Sequence, residues 1–290
     1  MRPLTIIFDR SAFHGPAFDR LAQSPLAQLA RAGKLLVHHT PVFLEETLAM
    51  YEKERHRVAL QRQIEFILGV CNGDWFRPPD EIYRQELLRK RSRRSLLIQT
   101  EIRADVERRV RYGVFSKPVW PQFEAAQTER NLERTKRVRQ REILVEMRGK
   151  VVEELAKLPA SVAREQTPWQ VVRERELNYV GSQIIELRMA FRHSEQIARA
   201  WCADKERYPY FTSFAEGFLY IRYCATAKSN MRIDRNAQAD IQQLSYLHSA
   251  DCIVANDTRF MKDAFDTLWK PKGKLFFTTD AFVGYIQQIA

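Results

Sequence analysis

Short apolar runs alternate with helical spacing near both ends of this chain, and a long strand-free stretch separates the two blocks. That arrangement limits the fold more than any other feature. Residues 4–8 (LTIIF) are an apolar run that stops abruptly at Asp9. Residues 18–32 carry Phe18, Leu21, Leu26 and Leu29 at helical spacing, with a break expected at Pro25 and a stop at Gly33. Residues 35–38 read as a second strand, and Thr40-Pro41 opens a helix with a hydroxyl cap and proline at its first position. The other end repeats the pattern. A helix over residues 237–249 leads to a strand over 252–255. A second helix follows, with Phe260, Met261, Ala264, Phe265, Leu268 and Trp269 on one side, stopped by Pro271 and Gly273. A strand over 275–278 and a last helix capped by Asp280 complete the block. Strands alternating with helices predict an α/β fold, with a central, mainly parallel sheet covered by helices on both faces.

Residues 81–204 are rich in Glu, Arg, Leu and Gln and show no convincing strand. Turns are expected at residues 113–121 (GVFSKPVWP) and breaks at Leu158-Pro159 and Thr167-Pro168. The expected organisation is a core made of residues 1–80 and 205–290, interrupted by a long, basic, all-helical insertion over 81–204. Charge is concentrated in that insertion. Of the net +11, residues 84–150 hold 19 Lys and Arg against 9 Asp and Glu, a surplus of ten. Two clusters stand out: Arg89, Lys90, Arg91, Arg93 and Arg94, then Arg134, Lys136, Arg137, Arg139 and Arg141. Such clusters suit phosphate contacts, which give affinity without reading sequence. Pairs such as Asp105 with Arg109 and Glu133 with Arg137 have i,i+4 spacing, as a solvated helix face would, yet they leave the surplus intact. The aromatics Trp75, Phe76, Tyr112, Phe115, Trp120 and Phe123 flank or interrupt the basic stretch, either to stack on unpaired bases or, more commonly, to pack helices.

The chain has no apolar run of about 18 residues and no signal-peptide pattern, so a cytoplasmic protein without a membrane span is expected. Cys71, Cys202, Cys224 and Cys252 are scattered and read as buried thiols.

Asp9 and Asp257 each follow a strand, and in open parallel sheets ligands gather beyond the carboxyl ends of strands. Two carboxylates meeting there repel unless a cation lies between them, and Mg²⁺ prefers such oxygens. The ordinary use of an Asp after a strand is a cap or turn.

The stretch IIFDRSAF, with Asp9 and Ser11, resembles the opening motif of PIN-like nucleases. TPVFLEE is similar to the second motif of that family and selects Glu46. ADIQQLSYLHSADCIVANDTRF resembles the third and fourth, with Asp240 opening a helix and Asp257 following the next strand. Ala255 departs from the family, which often has a hydroxyl there. The resemblance covers residues 1–80 and 205–290, not the insertion. It implies a PIN-like core and a metal-dependent endonuclease. Asp9, Glu46, Asp240 and Asp257 would be the catalytic residues and the ligands of Mg²⁺ or Mn²⁺, with Ser11 and Asn256 orienting carboxylates or water. It further implies cleavage to a 5′-phosphate and a 3′-hydroxyl, with RNA favoured over structured or flap-like DNA. Glu46 is preferred to Glu45 because it shares a helix face with Val42, Ala49 and Met50, whereas Glu45 lines up with Glu52. Asp240 also reads as an ordinary first-turn acid. Asp234 and Asp251 hold no motif position, and His14, His38, His39 and His248 lack metal-ligand spacing. Two alternatives stay open: a non-catalytic nucleic-acid-binding or scaffold protein with a degenerate acidic site, and a toxin or defence effector whose insertion docks a protein partner.

Overall fold

Strand β1 (Leu4–Phe8) must bury itself on both sides, for Ile6, Ile7 and Phe8 are at most 2% exposed. The computed structural model describes residues 2–49, 57–89, 96–98, 165–187, 191–228 and 236–290, with scattered single or paired positions in the stretches between. Strand β2 (Leu35–Val37) runs parallel to β1, in register from Leu4↔Leu35 to Ile6↔Val37. Strand β3 (Cys252–Val254) pairs with the other edge of β1, also parallel, from Ile6↔Cys252 to Phe8↔Val254. Strand β4 (Leu275–Phe277) adds to β3 in the same sense. Among the described residues the sheet has four strands in the order β2-β1-β3-β4.

Successive strand side chains point to opposite faces, and two cores result. Ile7 and Ile253 join the helices Pro79–Leu87, Pro168–Leu187, Pro209–Ala227, Ala237–Ser245 and Phe260–Leu268 on one face. Ile6, Phe8, Cys252 and Val254 join the helices Pro16–Gln23, Leu26–Arg31, Arg57–Val70 and Thr279–Gln288 on the other. The helix Pro41–Ala49 serves both, with Val42 in the first core and Phe43 in the second. The fold is therefore α/β, a small parallel sheet between two helical layers. Among the described residues no helix is long and apolar enough to cross a membrane.

Local chemistry explains the element boundaries. Pro25 separates the first two helices, and Gly33 turns the chain into β2 with φ of 69°. The expected cap at Asp280 is not the one used. Thr278 caps the last helix by accepting from the Ala281 N–H at 3.3 Å, while Asp280 forms an ion pair with Arg20 at 2.7 Å. The threonine sits at the extended residue before the first turn, where a side-chain oxygen can reach back to a backbone N–H. All four cysteines are free thiols, three of them buried.

The described helices of the stretch assigned to the insertion share the first core. Tyr83 stacks on Phe214 with ring centroids 4.6 Å apart, and Trp201 meets Phe211 edge-on at 5.3 Å. Glu86, 6% exposed, accepts from the N–H groups of Phe211 (2.8 Å) and Tyr210 (3.4 Å), capping the helix Pro209–Ala227 from a different element. Those N–H groups have no partner within their own helix.

The helix Pro209–Ala227 lies so close to the helix Ala237–Ser245 that a Cβ on Gly217 would stand 2.1 Å from Ile241 Cγ2. Gly217→Ala should therefore cost about 1–3 kcal/mol in urea unfolding, the usual range for overpacking. Gly284→Ala, with no atom within 4 Å of the added methyl, should be neutral or stabilise by up to about 1 kcal/mol. Equal effects at the two positions would show that this helix contact does not limit stability.

Candidate functional site

The order β2-β1-β3-β4 means that the chain leaves β1 toward one edge of the sheet and completes it toward the other. The crevice at such a reversal, beyond the carboxyl ends of the two strands, is where open α/β sheets bind ligands. Here the strands are β1 and β3, and the residues beyond their ends include Asp9 and Asp257.

Asp9 keeps its backbone N–H in the ladder, donating to Val254 O at 2.9 Å. Its carboxylate turns back and accepts from the Ser11 N–H at 2.7 Å, capping a 3-10 turn over Arg10–Phe13. The capping use of an Asp after a strand is thus present. It is not the whole account, because Asp9 is only 5% exposed. Burial pushes its carboxyl above the ordinary range, and the charge of Asp257 adds to that, against the opposing hydrogen bonds from Ser11.

Asp257 is held in place through its backbone. The Ser11 hydroxyl oxygen accepts from the N–H groups of Asn256 (2.8 Å) and Asp257 (3.2 Å). Asn256 donates its side-chain amide to Ser11 O at 3.3 Å and accepts from the Thr279 N–H at 2.9 Å. Thr279 in turn donates its hydroxyl to Ala12 O at 3.1 Å. Ser11, Asn256 and Thr279 thereby clasp the loops after β1 and β3 to the start of the last helix. The Asp257 carboxylate accepts from the Arg259 N–H at 2.8 Å.

Asp240 and Glu46 approach from two helices. Gln243 donates to Phe8 O at 2.8 Å and accepts from the Thr40 hydroxyl at 3.0 Å. One side chain thus ties the helix Ala237–Ser245 to the end of β1 and to the start of the helix Pro41–Ala49. Asp240 lies three residues before Gln243, on the same helix face, and is 6% exposed. Glu46 is half-buried, and its charge, with that of Asp9, supports the Arg10 guanidinium. Burial, the larger influence, lowers the pKa of Arg10, which is 7% exposed. The Glu45 side chain lies outside the described residues.

Asp9 and Asp257 thus interact beyond the ends of β1 and β3, Arg10 feels the charges of Asp9 and Glu46, and Asp240 lies on the helix that Gln243 ties to the end of β1. Among the described residues no three His, Cys, Asp or Glu side chains close into a ready-made metal cluster. The donor chemistry nevertheless fits a hard divalent cation, since it consists of carboxylate oxygens and includes a buried acid that a nearby positive charge would stabilise as the anion. Burial lowers His39 to about 3 and His248 to about 4, and His248 Nε2 is engaged with the Ser213 hydroxyl at 2.8 Å.

Arg10, Gln243 and Thr279 were missed in the sequence. Arg10 could have been noticed as the cation next to the first acid in IIFDRS; Gln243 and Thr279 carry no local signal. Of the basic clusters, Arg89, Lys136 and Arg139 are exposed, whereas Lys90, Arg91, Arg93, Arg94, Arg134, Arg137 and Arg141 lie outside the described residues. Trp75 and Phe76 are core residues at 3% and 2% exposure, with Phe76 stacked on Tyr246 at 5.2 Å. Tyr112, Phe115, Trp120 and Phe123 lie outside the described residues. Compared with known proteins, the chain matches no family model, no curated protein and no solved structure.

The raised carboxyl of Asp9 has a definite sign in a pH experiment. A folded-state pKa above the unfolded one favours folding at low pH, and that benefit is lost as pH rises through the folded value. Metal-free Asp9→Asn protein should therefore gain stability relative to wild type as pH rises from 4 toward neutrality. Urea unfolding of both proteins in chelator across that span measures it. A constant difference would mean that Asp9 titrates as it does in the unfolded chain.

Proposed function

We propose that this chain is a metal-dependent nuclease with a PIN-like core. The observation that carries the reading is the meeting of Asp9 and Asp257 at the switch point of a parallel sheet, one of them buried with its carboxyl raised by burial and by the other. Asp9, Glu46, Asp240 and Asp257 would hold Mg²⁺ or Mn²⁺, which when bound lowers the pKa of a coordinated water and neutralises charge on a phosphodiester. The protein's own work is positional. Ser11, Asn256 and Thr279 fix the loop that carries Asp257, and Gln243 fixes the helix that carries Asp240. Arg10 holds positive charge beside Asp9 and Glu46. The surplus of ten positive charges over residues 84–150 supplies the attraction to a nucleic-acid backbone. RNA is preferred to DNA on the family resemblance alone.

Arg10 also favours a second reading. A buried guanidinium beside two of the acids neutralises part of their charge, as it would in a degenerate site that binds nucleic acid without cutting it.

Incubation with single-stranded RNA and with flap DNA in Mg²⁺ or Mn²⁺ separates the two. The nuclease reading expects metal-dependent cleavage, reduced on the order of 100-fold or more by Asp9→Asn or Asp257→Asn, the scale of losing a group that stabilises transition-state charge. Intact substrates that are nonetheless bound by wild type and both variants would leave the non-catalytic reading standing.

A further inference from the structure

Away from the acidic end of the sheet, a cavity of about 560 Å³ opens between the helices Pro168–Leu187 and Pro209–Ala227 and the turn Lys270–Lys272. Its size falls within the range of pockets that hold one small molecule. Two kinds of side chain line it. Trp169 and Tyr223, core residues each 8% exposed, present only part of their aromatic rings to it, with centroids 5.6 Å apart. Arg173, Lys228 and Lys272 supply positive charge.

Carboxylates hold these cations in place to unequal degrees. Glu216, 4% exposed, accepts from Arg173 Nε at 2.7 Å and Nη2 at 2.5 Å, while Lys272 stands 3.5 Å from its other oxygen. Lys228 is fully engaged, donating to both oxygens of Asp263 at 2.7 Å and to the Tyr220 hydroxyl at 2.8 Å. Arg173 and Lys272 keep the reserve. Their side chains are 44% and 42% exposed, and Lys272 lies over the Trp269 ring at 4.6 Å. A carboxylate that grips one edge of a guanidinium aims its other edge outward, and that edge suits phosphate.

With three cations and two carboxylates the pocket carries one net positive charge. That balance fits a single phosphate; a run of phosphates would call for a larger surplus. The rings fit a planar partner, because every base offers a π-face. We propose that the pocket binds one nucleotide unit, its base against Trp169 and Tyr223 and its phosphate against Arg173 and Lys272. A free nucleoside monophosphate and the phosphorylated end of a single strand present the same chemistry. The biological sense of such a pocket rests on the nucleic-acid reading above, but its measurement does not.

The test uses full-length Asp9→Asn protein in chelator, so cleavage plays no part. Calorimetric titration with AMP, adenosine and inorganic phosphate should show AMP binding at least about tenfold more tightly than either fragment, as two contact types acting together require. Lys272→Glu should weaken AMP about tenfold, one charge-assisted contact reversed. Arg173→Lys should weaken it as well by removing the fork, with circular dichroism confirming the fold. An oligonucleotide that binds more tightly with a 5′-phosphate than with a 5′-hydroxyl, by a margin that Lys272→Glu removes, assigns the pocket to a strand end, and no such margin assigns it to the free nucleotide. The proposal is overturned by any of three results: no AMP binding at millimolar concentration, phosphate alone binding as well as AMP, or folded variants that bind AMP like the parent. A nuclease assay that fails leaves this result untouched, and loss of AMP binding leaves the nuclease assay standing.

Discussion

The pairing of β1 with β3 is the contact on which the candidate site depends. It joins residues 6–8 to residues 252–254 in one parallel ladder and carries Asp9 and Asp257 to neighbouring strand ends. Each end of the ladder has an aspartate, and the two are treated in opposite ways. Asp251, at the amino end, accepts from the Thr5 N–H at 3.0 Å, the Thr5 hydroxyl at 2.8 Å and Arg2 at 2.7 Å. Burial pushes it upward, yet those hydrogen bonds and the Arg2 charge outweigh burial and leave its carboxyl below the ordinary range. Asp9, at the carboxyl end, is buried next to another acid and stays raised. The same side chain is satisfied where it ties strands together at the amino end and left under electrostatic tension at the carboxyl end.

That tension is moderated from within. Arg10 is buried beside Asp9 and Glu46, and it directly follows Asp9 in the chain, so the acid and its partial counter-charge are placed by a single turn of chain. Around them the fixed points are mostly backbone groups: Phe8 O for Gln243, the amides of Asn256 and Asp257 for Ser11, Ala12 O for Thr279. Rigid support of this kind holds carboxylates near one another without requiring them to touch.

Much of the sheet could be read from residues alone. The run Leu4–Phe8 is a strand over its whole length because it is apolar on both faces and ends at a charge. Pro25 divides two helices because proline cannot continue the first. That Asp9 and Asp257 follow strands was legible for the same local reason, a charge at the end of an apolar run. What escaped is what long-range contacts decide. Gln243 looks like any polar helix residue until Thr40 and Phe8 are brought to it. Glu86 reads as one acid among many in a charged stretch, yet it is buried and caps a helix more than a hundred residues away. The apolar positions Ile82, Tyr83 and Leu87, or Trp169 and Val172, were outweighed by the surrounding charge, and they pack into the main core.

The distance along the chain between β1 and β3 has a consequence for biosynthesis. The central strand is made before the rest of the sheet, and one of its two neighbours emerges some 245 residues later. At ~5–20 residues per second that interval is on the order of 10–50 s. Throughout it, a mostly apolar strand has β2 on one side and an open hydrogen-bonding edge on the other, the condition in which unfinished sheets recruit foreign strands. Ribosome-associated chaperones should therefore matter more to the yield of this protein than its final stability would suggest.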